Sequence, residues 1–350
     1  MKRRQALKRL LQASGGMVAT LLPGCVNSQH LRLLFAVEPQ QFDQPLPEHQ
    51  VTPVGEFYVQ SYASPPEVNL DTWQLQFTGL VDQPLTLKFT DILAAPQADF
   101  YLTMECIGNR TGGKQIGNAL WMGTPLLPFL KQVGVQDKAV EFMLHGADSY
   151  ETTLPVADLM RSDVQLVHRM NGEPLTRSHG FPLRIIIPGR YGQKQPKWLT
   201  EIEAIATPKK GYWERQGWSN TAKIATHAIT QKIQGEKVWN KNYHVDLPRM
   251  GESGWQGGVT LAGVAIDQAQ PMEWVRISTD NGQTWMQADI NQPSSPHEWT
   301  LWQYLWQPTQ PGTYKLLAQA KSRTETQKII DKNGKDGSAG ILRISVNLEP

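Results

Sequence analysis

Val275-Arg276-Ile277-Ser278-Thr279-Asp280-Asn281-Gly282-Gln283-Thr284-Trp285 reads as one arm and the turn of a β-hairpin. Val275 and Ile277 alternate with polar neighbours, the period of a strand with one buried face. Asp280-Asn281-Gly282 follows with residues that tolerate positive φ, as tight hairpin turns require. Outward from this turn the same period recurs. Val259 to Ile266, Met272 to Ser278, Gln283 to Ile290, Thr300 to Trp306, Thr313 to Ala320 and Ile341 to Leu348 are expected strands. Short strands with regular turns predict an immunoglobulin-like β-sandwich over residues 221–350. Trp274 and Trp302 have two readings: filling its core, or facing a second subunit in a homodimer.

Upstream, residues 51–220 predict a mixed domain, which makes the whole chain α+β. Trp73 to Phe77 and Leu85 to Phe89 suggest strands, and Thr90-Asp91 a cap for a short helix at Ile92-Leu93. Phe100 to Ile107 alternates in part before a glycine-rich loop. Pro125 to Val133 has helical spacing, with Leu126, Phe129 and Leu130 on one face. Leu183 to Ile187 is a short apolar run closed by Pro188-Gly189, as in a buried strand. From Thr207 to Pro248 no clean period appears, and the segment reads as a connection between domains.

The N-terminal residues Met1-Lys2-Arg3-Arg4-Gln5-Ala6-Leu7-Lys8-Arg9, followed by a mildly apolar stretch to Pro23, predict a signal peptide over 1–25. Arg3-Arg4 looks like a twin-arginine signal. Leu22-Pro23-Gly24-Cys25 resembles a lipoprotein cleavage box, so Cys25 is a candidate lipid anchor. Residues 26–50, rich in Gln and Pro, read as a tether. The expected location is periplasmic, free or membrane-anchored. A net charge of +2 over 350 residues argues against a nucleic-acid partner bound through bulk charge.

Cys25 and Cys106 are the two cysteines. If the first is cleaved or lipidated, the second is a leftover thiol in an exported protein. It stands at the end of an apolar run and opens a Gly/Asn/Arg loop, where Arg110 is expected to lower its pKa. Two readings stand: a reactive thiolate or an inert buried cysteine. Gly108-Asn109-Arg110-Thr111-Gly112-Gly113-Lys114-Gln115 nearly matches a phosphate loop. Gln115 occupies the position of the magnesium-binding hydroxyl, and Ile116-Gly117-Asn118 is a poor helix start, which excludes a nucleotide triphosphatase. The histidines are scattered with no zinc-type spacing. His179 to Arg184 and Arg190 to Lys197 gather cations that suit a polyanion, though a solvated basic loop has the same composition.

Taken in order, several segments resemble the sulfite oxidase family of molybdopterin enzymes. They are Glu105-Cys106-Ile107-Gly108-Asn109-Arg110, Ile116 to Leu126, Asn171-Gly172-Glu173-Pro174-Leu175, His179 to Arg184, Tyr191 to Trp198 and the hairpin Val275 to Trp285. The resemblance implies a Mo-molybdopterin cofactor with Cys106 as metal ligand and Arg110 as its catalytic companion. It implies a pterin held by Tyr58, Val59, Asp148, His179, Arg184, Gln195, Pro196 and Lys197. It also implies oxygen-atom transfer on a small sulfur- or nitrogen-containing molecule. Gln60 and Tyr62 stand where sulfite-oxidising members carry an arginine and a histidine, and Thr111 where another arginine is expected. The family's active-site tyrosine corresponds to Lys210 or Tyr212. Reduction of a sulfoxide and a cofactor-binding homologue without turnover are therefore rival readings. No Cys-x-x-Cys-His haem attachment is present, so electrons are expected to pass through a separate protein or a quinone-linked partner.

Overall fold

The computed structural model describes residues 45–238, 244–247, 258–268, 270–328 and 334–349. The expected signal peptide, Cys25 and the tether up to residue 44 lie outside the described residues.

The chain opens with β1 (Gln74–Gly79) and β2 (Leu85–Lys88), an antiparallel pair followed by α1 (Phe89–Ala94). β3 (Ala98–Glu105) and β4 (Ile116–Pro125) then pair over eight residues, with the glycine-rich loop between them. This loop leads into a strand, not a helix, so it lacks the dipole a phosphate loop uses. α2 (Leu127–Val133) begins with Pro128 in its first turn and ends at Gly134, whose φ of 67° is left-handed. β5 (Glu141–Gly146), β6 (Glu151–Pro155), α3 (Val156–Leu159), β7 (Gln165–Met170), β8 (Glu173–Pro174), β9 (Arg184–Ile186) and β10 (Leu199–Ile205) complete this half.

Two sheets result, ordered β2-β1-β10-β5-β6 and β3-β4-β7-β8, with β9 also on β7. Leu75, Phe77, Leu144, Ile202, Leu166 and Ile185 share one core between them with α1 and α2. The far side of the second sheet buries Leu102, Met104, Trp121 and Ile186 against Phe57. β9 is buried on both faces, which explains its continuous apolar reading.

After α4 (Tyr212–Arg215) come β11 (His227–Ile233), β12 (Glu236–Lys237), β13 (His244–Leu247), β14 (Val259–Ile266) and β15 (Met272–Ser278). β16 (Met286–Gln287), β17 (Asp289–Asn291), β18 (Thr300–Trp306), β19 (Gly312–Ser322) and β20 (Arg343–Leu348) follow. They form sheets β12-β11-β14-β18-β17 and β13-β20-β19-β15-β16, packed on one core, which is the expected sandwich. Asn281 and Gly282 take φ of 62° and 91° at the hairpin turn, as their sequence predicts. Trp302 is wholly buried in this core. Trp274 is half-buried, with the Arg276 guanidinium 4.3 Å from its ring.

The segment 207–248 departs from its reading as a bare connection: it contains α4, β11, β12 and β13. β11 is buried at His227, Ala228, Ile229, Thr230, Gln231 and Ile233, so burial on both sides erases the alternation that marks a half-exposed strand. β14 crosses closely here. A Cβ on Gly263 would lie 2.0 Å from the Ile229 carbonyl oxygen and 2.7 Å from the Trp302 ring. Gly263→Ala should therefore cost about 1–3 kcal/mol by overpacking. Thermal melting checks this: Gly263→Ala should melt clearly below wild type.

Candidate active site: a cavity around Cys106

β3 delivers Cys106 to the edge of a cavity of about 320 Å³. The following loop is built around Asn109. Its side-chain amide donates to Glu105 Oε1 (2.9 Å), its Oδ1 accepts from the Gln115 N–H (3.0 Å), and its backbone N–H donates to the Cys106 carbonyl (2.9 Å). A Cβ at Gly113 would strike Asn109 Oδ1 at 2.3 Å, so glycine is needed for the fold-back. The loop thereby holds Cys106 at a fixed point, half-buried.

Burial pushes the Cys106 thiol up from its ordinary pKa, opposed by the backbone amides of Gly108 and Asn109. The expected helper is not there: Arg110 is exposed and does not line the cavity. Its backbone carbonyl closes the turn to Gly113 (2.6 Å). Thiolate character must therefore come from those amides or from a bound cation.

Next to Cys106, Glu105 is buried and faces His227 of β11 at 3.3 Å. His227 Nδ1 lies 2.8 Å from the Ala225 carbonyl, which can only accept, so Nδ1 carries a proton. Burial alone would lower the His227 pKa, but the Glu105 carboxylate outweighs it and raises it. The Glu105–His227 contact ties the strand that leads to Cys106 to the sandwich.

The same cavity also carries cations. Arg184, on β9, donates to the His179 carbonyl (3.2 Å) and to Met104 Sδ (3.1 Å), while its Nε has no partner. Burial lowers its pKa to about 10. Lys197 donates to Ser61 Oγ (2.7 Å) and the Ser178 carbonyl (2.9 Å), and its ammonium lies 4.4 Å from the Trp198 ring centroid. Burial first, and then the Arg184 charge, lower its pKa to about 7. His179 is lowered from its ordinary value by burial and by Arg184. Burial raises Asp148.

Of the sequence-predicted residues, the structure brings Cys106, Tyr58, Asp148, His179, Arg184, Gln195, Pro196 and Lys197 to this one cavity. It leaves out Val59, which is 49% exposed, and Arg110. Sequence reasoning missed Met104, Tyr150, Gln193 and the two tryptophans Trp213 and Trp218. An aromatic cluster in the aperiodic segment 212–218 was the available signal.

The wall beside Cys106 is uncharged and aromatic. Trp218 reaches to 3.5 Å of where a Gly108 Cβ would be, and Cys106 Sγ lies 3.8 Å from the same point. Trp213 meets Trp218 edge-on at 6.2 Å between centroids, Tyr212 meets Trp213 at 4.9 Å, and Tyr62 lies 4.3 Å from Tyr212. Gln115 Nε2 donates to Gln60 Oε1 (3.2 Å) on the same side.

These residues fit the molybdopterin that the sequence implies. Tyr58 OH, Arg184 Nε and Gln193 Oε1 are buried polar atoms of cavity-lining residues without a protein partner, and each would cost free energy if left so. Arg184 and Lys197 suit the phosphate, and the thiol suits a soft metal. Among the described residues no group of three or more His, Cys, Asp or Glu gathers as a metal site.

Comparison with known proteins agrees. The family described as "Oxidoreductase molybdopterin binding domain" matches residues 62–213. Mitochondrial sulfite oxidase of Homo sapiens is 30% identical over 315 residues, covering 79% of this chain and 56% of that protein. The uncharacterized oxidoreductase YuiH of Bacillus subtilis (strain 168) is 35% identical over 150 residues, covering 43% of this chain and 74% of its own length. The crystal structure of the sulfane dehydrogenase SoxCD from Paracoccus pantotrophus shares the fold, with a TM-score of 0.68 at 20% identity over 97% of this chain and 96% of that one. The chain spans about half the length of the animal sulfite oxidases it matches. It belongs to the sulfite oxidase family of molybdopterin-dependent oxidoreductases.

Proposed function

We propose that the chain transfers an oxygen atom to or from a small sulfur- or nitrogen-containing substrate, with the Cys106 thiolate as the protein's ligand to molybdenum. The observation that carries this reading is that Cys106, Arg184, Lys197 and His179 line one and the same cavity. When bound, the molybdenum–pterin group supplies the two-electron chemistry. The protein's share is binding and orientation. Arg184 and Lys197 hold the anionic end, Tyr58 and Gln193 offer hydrogen bonds, and the Gly108 and Asn109 amides favour the thiolate.

The wall beside Cys106 favours an uncharged substrate. Gln60, Tyr62, Gln115, Trp213 and Trp218 bring no formal charge to that end, whereas a sulfite dianion needs cations to offset its desolvation. A sulfoxide presents one acceptor oxygen and an apolar body, which the amide pair and the aromatic rings suit. Reduction of such a molecule is therefore preferred to sulfite oxidation. Screening cofactor-loaded protein against sulfite, sulfoxides and N-oxides tests this. Turnover of sulfite alone would contradict it.

Further parts of the reading are proposals of the same kind. The cofactor domain is taken as 51–220 and the sandwich as 221–350, the latter pairing subunits. The protein is exported to the periplasm, with Cys25 as a candidate lipid anchor, and exchanges electrons with a separate protein or quinone-linked partner.

Lys197 gives the anionic subsite a pH signature. Its folded pKa of about 7 lies below the ordinary lysine value of about 10.4, so between these the unfolded chain binds more protons. Stability of cofactor-free protein should therefore rise with pH across that window. Anion binding should run the other way, because the ammonium that attracts the anion is lost above about pH 7. Sulfate, which does not titrate there, should bind progressively more weakly from pH 7 to 9. Calorimetric titration checks this; Lys197→Met should bind weakly throughout and flatten both trends.

A further inference from the structure

Beneath the aromatic wall lies an ion pair withdrawn from water. Lys194, in the 3-10 turn Gly192–Lys194, and Glu214, in α4, each have 1% side-chain exposure. The Lys194 ammonium spends all three protons: on Glu214 Oε1, on the Thr153 carbonyl (2.8 Å) and on Thr152 Oγ1 (3.2 Å). Thr152 Oγ1 in turn donates to Glu214 Oε1 at 2.7 Å. Burial pulls the Lys194 pKa down, and the Glu214 carboxylate works against it.

The pair joins two parts of the cavity. On the Lys194 side, Gln193 and Gln195 are its chain neighbours, and the Tyr150 hydroxyl donates to the Gln193 carbonyl (2.6 Å). On the Glu214 side, α4 is a single turn and cannot hold itself in place. It is pressed on β6 so closely that a Cβ at Gly211 would lie 2.5 Å from the Glu151 carbonyl oxygen. Trp213 precedes Glu214 directly. The Trp218 N–H donates to the Trp213 carbonyl (3.1 Å), which carries the constraint on to the ring above Gly108.

We propose that Lys194 and Glu214 are a positioning pair, a latch that sets the aromatic wall of Trp213 and Trp218 in register with the cavity-lining turn of Gln193 and Gln195. A buried ion pair seldom adds net stability over well-packed apolar groups of similar size. What its directional hydrogen bonds supply here is one fixed placement of α4 beside Cys106. The inference builds on reading this cavity as the reaction site, but its test needs no turnover.

The test is hydrogen exchange by mass spectrometry on the full chain carrying Lys194→Met with Glu214→Met. This double change removes both charges together and keeps a packed interior. Exchange of peptides covering 211–218 should rise about tenfold or more, while peptides covering 259–266 in the sandwich stay as in wild type. The double variant should also gain acrylamide-quenchable fluorescence, and that gain should vanish when Trp213→Phe and Trp218→Phe are added. Glu214→Gln, which keeps the acceptor for Lys194 and Thr152, should give a smaller rise and serves if the double variant folds poorly. Unchanged protection of 211–218, or an equal loss across the whole chain, overturns the proposal.

Discussion

Cys106→Ser should leave the fold intact and remove molybdenum from the protein. A serine hydroxyl stays protonated at neutral pH and is a hard, weak partner for a metal that favours thiolate sulfur. Removing an outer partner of a metal ligand typically costs about 10–100-fold in affinity or activity, and loss of the protein's own ligand should exceed that. Elemental analysis of material matured in a host that makes the cofactor gives the readout. The exchange should barely move the melting temperature, since Cys106 is half-buried and its surroundings are held by Asn109 through Glu105 and Gln115. A variant that keeps its metal contradicts the assignment.

The second large effect concerns charge beside Cys106. Gln60→Arg places a cation in a wall that has none, across from Gln115. Two unit charges about 4 Å apart interact by about 1 kcal/mol in water and about 4 kcal/mol near a protein surface. Gln60 is exposed, which argues for the lower part of that range. The preference for sulfite over dimethyl sulfoxide, measured by competition at low salt, should therefore shift toward the anion by about tenfold or more. Added salt should erase most of the gain. No shift at low salt would mean that substrates do not approach along this wall.

Much of the fold was legible because its elements are half-exposed. The alternation of Val275 and Ile277, and the Asn281-Gly282 turn, predict a hairpin that the structure forms. Pro128 and Gly134 bracket α2 within the helical spacing of the sequence. Two of the strands that escaped are buried on both faces. β4 and β11 carry small and polar residues among apolar ones, and neither shows a period of two once both sides are covered.

The site divides in the same way. Cys106, His179, Arg184 and Lys197 stand out as chemically unusual residues near glycine-rich turns, and the structure gathers them. Arg110 was mislocated because sequence proximity to Cys106 says nothing about which side of a folded-back loop a side chain takes. Val59 lies outside the cavity for a related reason: it stands between Tyr58 and Gln60, which both line the cavity, yet is itself exposed. Trp213 and Trp218 come to the cavity through tertiary packing of α4 on β6; their aromatic clustering was visible in the sequence, but its destination was not.

X-ray absorption at the molybdenum edge of the matured protein bears most directly on the account. The prediction is a sulfur shell with one cysteinyl sulfur beyond the pterin dithiolene pair, that extra scatterer being absent from whatever metal Cys106→Ser retains. An identical sulfur shell in the two proteins would contradict it.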